Sequence, residues 1–269
     1  MTTTHTLVIP GVRLRYEVRG TGPLLLLLGA PMAAAYFAPL ADALAGHHTV
    51  VTHDPRGISG SVLDDPAQDS TPELRADDAA ALMDVLGAES ADVLGSSGGA
   101  VTGLALVVRH PTRVRTLVAH EPPCLELLPD AAEQRAATED IIETFHREGA
   151  GPAFAKFMAN AGYDGDEVPD GAPEEPSEQD LADGARFFAH ELRGTTRYVP
   201  DAGALKAGPA RVVVGVGADS GRLLTYRTSV ALADLLGTAP VVFPGDHGGF
   251  TDQPEEFAET LRKVLAALA

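Results

Sequence analysis

The sequence predicts an α/β fold: a mostly parallel sheet covered by helices on both faces, with a block of helices inserted late in the chain. Three observations carry this. Short, largely apolar runs at 24–28, 49–53, 91–94, 114–120, 211–216 and 239–243 read as strands buried on both faces. Helical patterns follow most of these runs, so strand and helix alternate. Between 121 and 205 the alternation stops, and helical segments succeed one another with no strand-like run between them. A chain of 269 residues suits one large domain. Residues 1–120 and 206–269 are therefore expected to form the core domain, and 121–205 a helical lid, or cap, inserted into it.

Taken in order, residues 6–9 and 12–19 flank the turn signal Pro10-Gly11. Arg13, Arg15 and Glu17 alternate with Leu14, Tyr16 and Val18, the period of a half-exposed antiparallel hairpin at one edge. The leucine run 24–28 follows the turn Gly20-Thr21-Gly22-Pro23, and a helix is expected over 36–45. Thr71 as N-cap with Pro72 in the first turn starts the next helix, which runs to about 86 and stops at Gly87. The strand 91–94 leads into Gly95-Ser96-Ser97-Gly98-Gly99 and an apolar helix to 110. In the insertion, helices are expected over 130–147, 151–159 and 177–192, with a Pro/Gly/acid loop at 162–176. The last two helices cover 226–236 and 254–268. The chain has no internal repeat.

Composition excludes several function classes. Net charge is −18, from 20 Lys and Arg against 38 Asp and Glu, which argues against nucleic acid or an anionic membrane as partner. One cysteine, Cys124, rules out an intrachain disulfide and a thiolate metal cluster. The run 24–28 is far short of a membrane span, and the N-terminus has no basic stretch before a long apolar one, so a cytoplasmic protein is expected. No phosphate-cradling Gly-rich loop of the usual spacing occurs. His47-His48 is only an adjacent pair, so neither cofactor nor metal is expected. The sequence leaves a homodimer open.

In such a sheet, ligands bind beyond the carboxyl ends of the strands. The loops after residues 28, 53, 94, 120, 216 and 243 would gather on one rim. Ser97 stands at the centre of G-x-S-x-G, on a sharp strand-to-helix turn that pushes its hydroxyl clear of the backbone. The helix start beside it offers free N–H groups and a positive dipole end, which suit a developing oxyanion. A serine needs a base. His247, in Pro244-Gly245-Asp246-His247-Gly248-Gly249, is the best placed of nine histidines. A carboxylate should orient that histidine, and two rim positions offer one: Asp219 after the strand 211–216 and Glu121 after the strand 114–120. His53, His110 and His120 read as satisfied structural histidines at element ends. His190 and Arg197 read as a solvated helix face, and Cys124 as a small apolar filler.

With these residues in view, the chain resembles the α/β-hydrolase fold over nearly its whole length. The resemblance implies an eight-stranded sheet, Ser97 as nucleophile and His247 as general base and then acid. It also implies an oxyanion hole from the N–H groups of Ala30 and Gly98. Leu28-Gly29 stands where many members carry His-Gly. Asp54-Pro55-Arg56-Gly57-x-x-Gly60-Ser61 is similar to the family's next loop and reads as structural. Within the fold, the chain is similar to fungal lactonases that open the macrolactone zearalenone. It shares His120-Glu121-Pro122-Pro123, Arg193-Gly194-Thr195-Thr196-Arg197, and Pro244-Gly245-Asp246-His247 followed by Pro254-Glu255-Glu256-Phe257-Ala258. That likeness implies Glu121 rather than Asp219 as the acid. The chain has no tryptophan to match the one that packs on the macrolactone, and Glu191 aligns there. The expected activity is hydrolysis of an ester or lactone, a small-molecule substrate, through an acyl-enzyme on Ser97. C–C bond hydrolysis, a cofactor-free haloperoxidase or perhydrolase, and a non-catalytic binding role are the rival readings.

Overall fold

A computed structural model describes residues 2–163 and 177–267, so most of the predicted 162–176 loop lies outside the described residues. The chain opens with the strands β1 (Thr2–Ile9), β2 (Val12–Arg19) and β3 (Leu24–Leu28), a 3-10 turn and the helix α1 (Ala38–Leu44). Next come β4 (Thr49–His53), β5 (Val62–Leu63), α2 (Pro72–Val85), β6 (Ala91–Ser96), α3 (Gly98–Arg109) and β7 (Val114–His120). The insertion holds α4 (Ala131–Glu148), α5 (Ala150–Ala161), α6 (Glu178–Arg186), a π-helical turn (Phe187–Glu191) and α7 (Leu192–Thr196). The chain closes with α8 (Ala202–Ala207), β8 (Arg211–Gly217), α9 (Leu224–Leu236), β9 (Val241–Phe243), α10 (Gly249–Asp252) and α11 (Pro254–Ala266).

The strands form one sheet in the order β1-β2-β4-β3-β6-β7-β8-β9. From β4 to β9 every neighbouring pair is parallel, and the β1–β2 hairpin adds antiparallel at one edge. The eight strands expected from the sequence are all there, and the two-residue β5, paired to β2, makes a ninth. So short a strand leaves no periodic trace to read. α8 spans the expected boundary at 205/206.

The leucine run shows how the sheet is sandwiched. Leu24, Leu26 and Leu28 pack into a cluster with α2, α3 and α9, while Leu25 and Leu27 pack on the other face against α1 and α11. A strand buried on both faces has no polar side, which is why it reads as unbroken leucine. Each such side chain contributes roughly 1.5–3 kcal/mol of burial. The insertion has its own small cluster, built on Ile141, Ile142, Ala153, Phe188 and Leu192. Thr71 caps α2 as expected, accepting from the Leu74 N–H at 3.3 Å. The single helix expected over 177–192 is instead α6 broken by the π-helical turn, a change of winding that hydrophobic periodicity does not encode.

Candidate active site

Ser97 lies between the last residue of β6 and the first of α3, with φ 55° and ψ −125°. That backbone is strained for a residue with a side chain, and close packing holds it there. A Cβ on Gly95 would overlap the carbonyl of Gly99, and one on Gly99 would overlap the carbonyl of Leu28. The turn is therefore pressed into the end of β3 by glycines. Gly98 sits directly against Ala30, whose Cβ would be 3.1 Å from an added Cβ. The two residues expected to supply oxyanion donors are thus neighbours, and the first N–H groups of α3 have no intrahelical acceptor. The loop after β4 braces this corner. Asp54 is buried, its Oδ1 accepts from the Ala34 N–H at 2.9 Å, and its Oδ2 accepts from the Gly60 N–H at 3.0 Å. Arg56 forks onto buried Asp78 at 2.6 and 2.7 Å.

Glu121, one residue past β7, has a positive φ of 50° and a fully buried side chain. Its Oε1 accepts from the Gly217 N–H at 2.8 Å. Its Oε2 accepts from the Thr225 hydroxyl at 2.8 Å and meets His247 Nδ1 at 2.6 Å. Burial alone would raise the pKa of this carboxyl, but the hydrogen bond and charge of His247 prevail and bring it down to about 2. An ionised carboxylate can only accept, so His247 Nδ1 carries the proton and Nε2 is left as the basic nitrogen. The structure thus brings Glu121 and His247 together. Asp219 is exposed instead, and what ties it to the histidine loop is its backbone N–H, which donates to Gly245 O at 3.0 Å.

Among the described residues no hydrogen bond joins the Ser97 hydroxyl to His247. The link runs through the strand ends: the Ser97 N–H donates to His120 O at 2.9 Å, and Glu121 follows His120 directly. Thr225 and the Gly217 N–H are functional candidates that the sequence reading missed. One is a backbone group, and the other starts a helix 104 residues from its partner, so neither leaves a local signal.

Other expected residues fall as follows. His110 is satisfied by Asp77 at 2.8 Å. His120 is not fully satisfied, contrary to expectation. Its Nδ1 meets Ser96 Oγ at 3.1 Å, but its buried Nε2 has no hydrogen-bond partner among the described residues, because apolar rings surround it. Burial presses its pKa down to about 4. His53 is buried and shifted in the same direction by the same cause. His190 pairs with Asp69 at 2.9 Å, and Arg193 and Arg197 both reach Glu139 on α4, at 2.7 and 2.9 Å. Cys124 is buried, its thiol pushed up to about 12. Glu191, at the end of the π-helical turn, is fully buried with neither oxygen hydrogen-bonded among the described residues; Arg75 lies 3.7 Å away. Among the described residues no cluster of three or more His, Cys, Asp or Glu is suited to a metal ion, and no helix is long and apolar enough to cross a membrane.

A profile of the alpha/beta hydrolase fold matches residues 22–163. An uncharacterized hydrolase, YraK of Bacillus subtilis (strain 168), is 35% identical over 97% of this chain and 95% of its own. The chain belongs to the α/β hydrolase fold family. A putative carbamate hydrolase, RutD of Caulobacter segnis, is 29% identical over 93% of each chain. A thermophilic esterase from Thermogutta terrifontis superposes on this α/β hydrolase with a TM-score of 0.74 at 21% identity, covering 99% of this chain and 98% of its own.

Proposed function

We propose that this α/β hydrolase is a serine hydrolase of carboxylic esters, cyclic esters included. The observation that carries the reading is the buried, ionised Glu121 carboxylate held 2.6 Å from His247 Nδ1 on the rim that bears the Ser97 turn. Ser97 Oγ attacks the acyl carbon while His247 Nε2 takes its proton. The N–H groups of Ala30 and Gly98 hold the oxyanion, and the imidazolium formed is stabilised by Glu121. Collapse expels the alcohol, which takes the proton from His247. Water, deprotonated by the same histidine, then releases the carboxylic acid from Ser97. The helices between β7 and β8 act as a lid over this rim.

The name of the esterase above supports an ester substrate, and that of the carbamate hydrolase makes carbamates the nearest competing class. A glutamate after β7 as the acid is the feature shared with the zearalenone-type lactonases. The missing tryptophan and the buried Glu191 in its place weigh against a large resorcylic macrolactone. The test is hydrolysis of a panel of p-nitrophenyl esters, small lactones, a macrolactone and carbamates by wild type and Ser97→Ala. The variant is expected to lose turnover by at least about a thousandfold. Wild-type turnover in Ser97→Ala, or failure of a fluorophosphonate probe to label Ser97, overturns the reading.

A further inference from the structure

His120 lies between the two arms of the candidate site and belongs to neither. Ser96 on β6 and His120 on β7 are register partners on adjacent parallel strands. The residues that follow them, Ser97 and Glu121, are two of the three non-glycine residues with positive φ among those described, the other being Ser59. Both strands therefore turn sharply at the same level of the sheet. At that level the strands are joined by the Ser97 N–H to His120 O bond and by the side-chain contact between Ser96 Oγ and His120 Nδ1 at 3.1 Å.

The ring of His120 faces the other way as well. It lies nearly parallel to the His247 ring, with centroids 6.3 Å apart and planes 22° apart. Phe243 and Phe257 meet it edge-on at 5.7 and 5.2 Å. On β8, Gly215 leaves the space: a Cβ there would lie 3.4 Å from His120 Cδ2 and closer still to the Phe243 ring. An apolar box of this kind suits a phenylalanine or leucine better than an imidazole with one unpaired nitrogen. The retained polarity is used on the Ser96 side. The box has a second consequence: it keeps the ring uncharged beside His247, which must itself become a cation during proton transfer.

We propose that His120 is a positioning residue for this hydrolase, fixing the β6 end that carries Ser97 through Ser96 and the plane of His247 through its ring. This rests on the triad reading above. His120→Phe keeps a ring and loses the Ser96 bond; Ser96→Ala removes the same bond from the other side; His120→Asn keeps a polar partner and loses the ring. Each is assayed for kcat and KM on the best ester of the panel, with urea unfolding as the folding control. The downfield His247 Nδ1–H proton resonance reports the imidazole directly. His120→Phe and Ser96→Ala are each expected to lower kcat about tenfold with KM within about twofold, and the double variant to be no worse than either, because one bond is lost in all three. His120→Asn is expected to shift the Nδ1–H resonance.

Wild-type kcat in folded His120→Phe and Ser96→Ala, with an unshifted resonance in His120→Asn, overturns the proposal. If the His120 variants do not fold, the small Ser96→Ala change decides alone, through its kcat and its effect on the resonance. Ser97→Ala separates the two layers. If it is inactive while the others match wild type, only the positioning role fails. If it stays active, the triad reading fails, and the resonance still shows whether His120 orients His247.

Discussion

Two buried glutamates divide this molecule into a prepared region and an unprepared one. Glu121 on the rim and Glu191 in the helical insertion are both shielded from water, yet they stand in opposite states. Glu121 receives Gly217 N–H, Thr225 Oγ1 and His247 Nδ1, and its pKa falls to about 2. Glu191 receives no hydrogen bond among the described residues, faces Arg75 at 3.7 Å, and has its pKa raised by burial. Burial costs the charged form of each. What differs is whether donors are already aimed at the carboxylate when it arrives. On the rim those donors come from the end of β8, the first turn of α9 and the loop after β9, all placed by the sheet. Facing the insertion, Arg75 of α2 spends its nitrogens elsewhere, on Thr102 at 2.9 Å, Ser70 O at 2.6 Å and Thr195 at 2.9 Å.

The contrast can be broken most directly at Glu121. Glu121→Gln keeps the shape but offers His247 an amide that no longer demands the Nδ1-protonated tautomer, so kcat on an ester is expected to drop about 10⁴-fold. Asp219→Asn, whose side chain is exposed, is expected to stay within about twofold; a large loss there and none at Glu121 would reverse the assignment. Next in size is Arg75→Met. It removes the cation 3.7 Å from Glu191, leaving Arg186 farther off, and also the Arg75 bonds to Thr102, Ser70 O and Thr195, and should cost about 3–5 kcal/mol in urea unfolding, the range for breaking a buried pair. A loss below about 1 kcal/mol would mean that Arg75 does not hold the insertion to α3. Thr225→Val removes one of the donors on Glu121 and should lower kcat about tenfold, equivalent to about 1.4 kcal/mol. An unchanged kcat would show that the other two donors suffice.

Acidity sharpens the same contrast, with opposite signs. Glu121, depressed to about 2, contributes stability that is complete above its ordinary value of 4.5 and lost as pH falls towards 2. His120 is a base depressed from 6.5 to about 4, so its contribution is complete above 6.5 and declines as pH falls to 4. The acid limb of wild type should therefore begin near pH 6.5, and His120→Phe should shorten it in a urea-midpoint profile. Glu191 is raised, so its contribution is present below the ordinary carboxylate range and lost as pH rises through its folded value. Glu191→Gln should thus gain stability at pH 8 relative to pH 5 when set against wild type. The same pH dependence in both proteins would mean that Glu191 is not the charge being buried.

How much of this was written in the sequence differs between the same two regions. In the core, burial on both sheet faces leaves strands that are apolar throughout, so 24–28, 49–53 and 114–120 coincide with β3, β4 and β7. The glycines around Ser97 were legible for a related reason. A turn pressed against a neighbouring backbone tolerates no Cβ, and that constraint is local. The insertion was legible as helical, but its interruption by a π-helical turn was not: Phe188 of that turn packs on α4 and α5, a contact between elements that hydrophobic periodicity does not encode.

By itself, then, the sequence determined the alternation of strands and helices, the strained turn at Ser97 and the delivery of His247, Glu121 and Asp219 to one rim. These follow from backbone sterics and from strand direction, which short segments specify. The rim positions by themselves left Glu121 and Asp219 both open, the lactonase likeness pointed to Glu121, and the contact with the histidine is visible only in the tertiary structure. That contact depends on β7 and β8 lying side by side, so that Gly217, Thr225 and His247 converge on Glu121 while Asp219 turns to solvent. It also decided that His120 would sit under both Ser97 and His247, since that position exists only once the strands are in register. Contacts between residues a hundred positions apart belong to the sheet order, and no window along the chain contains them.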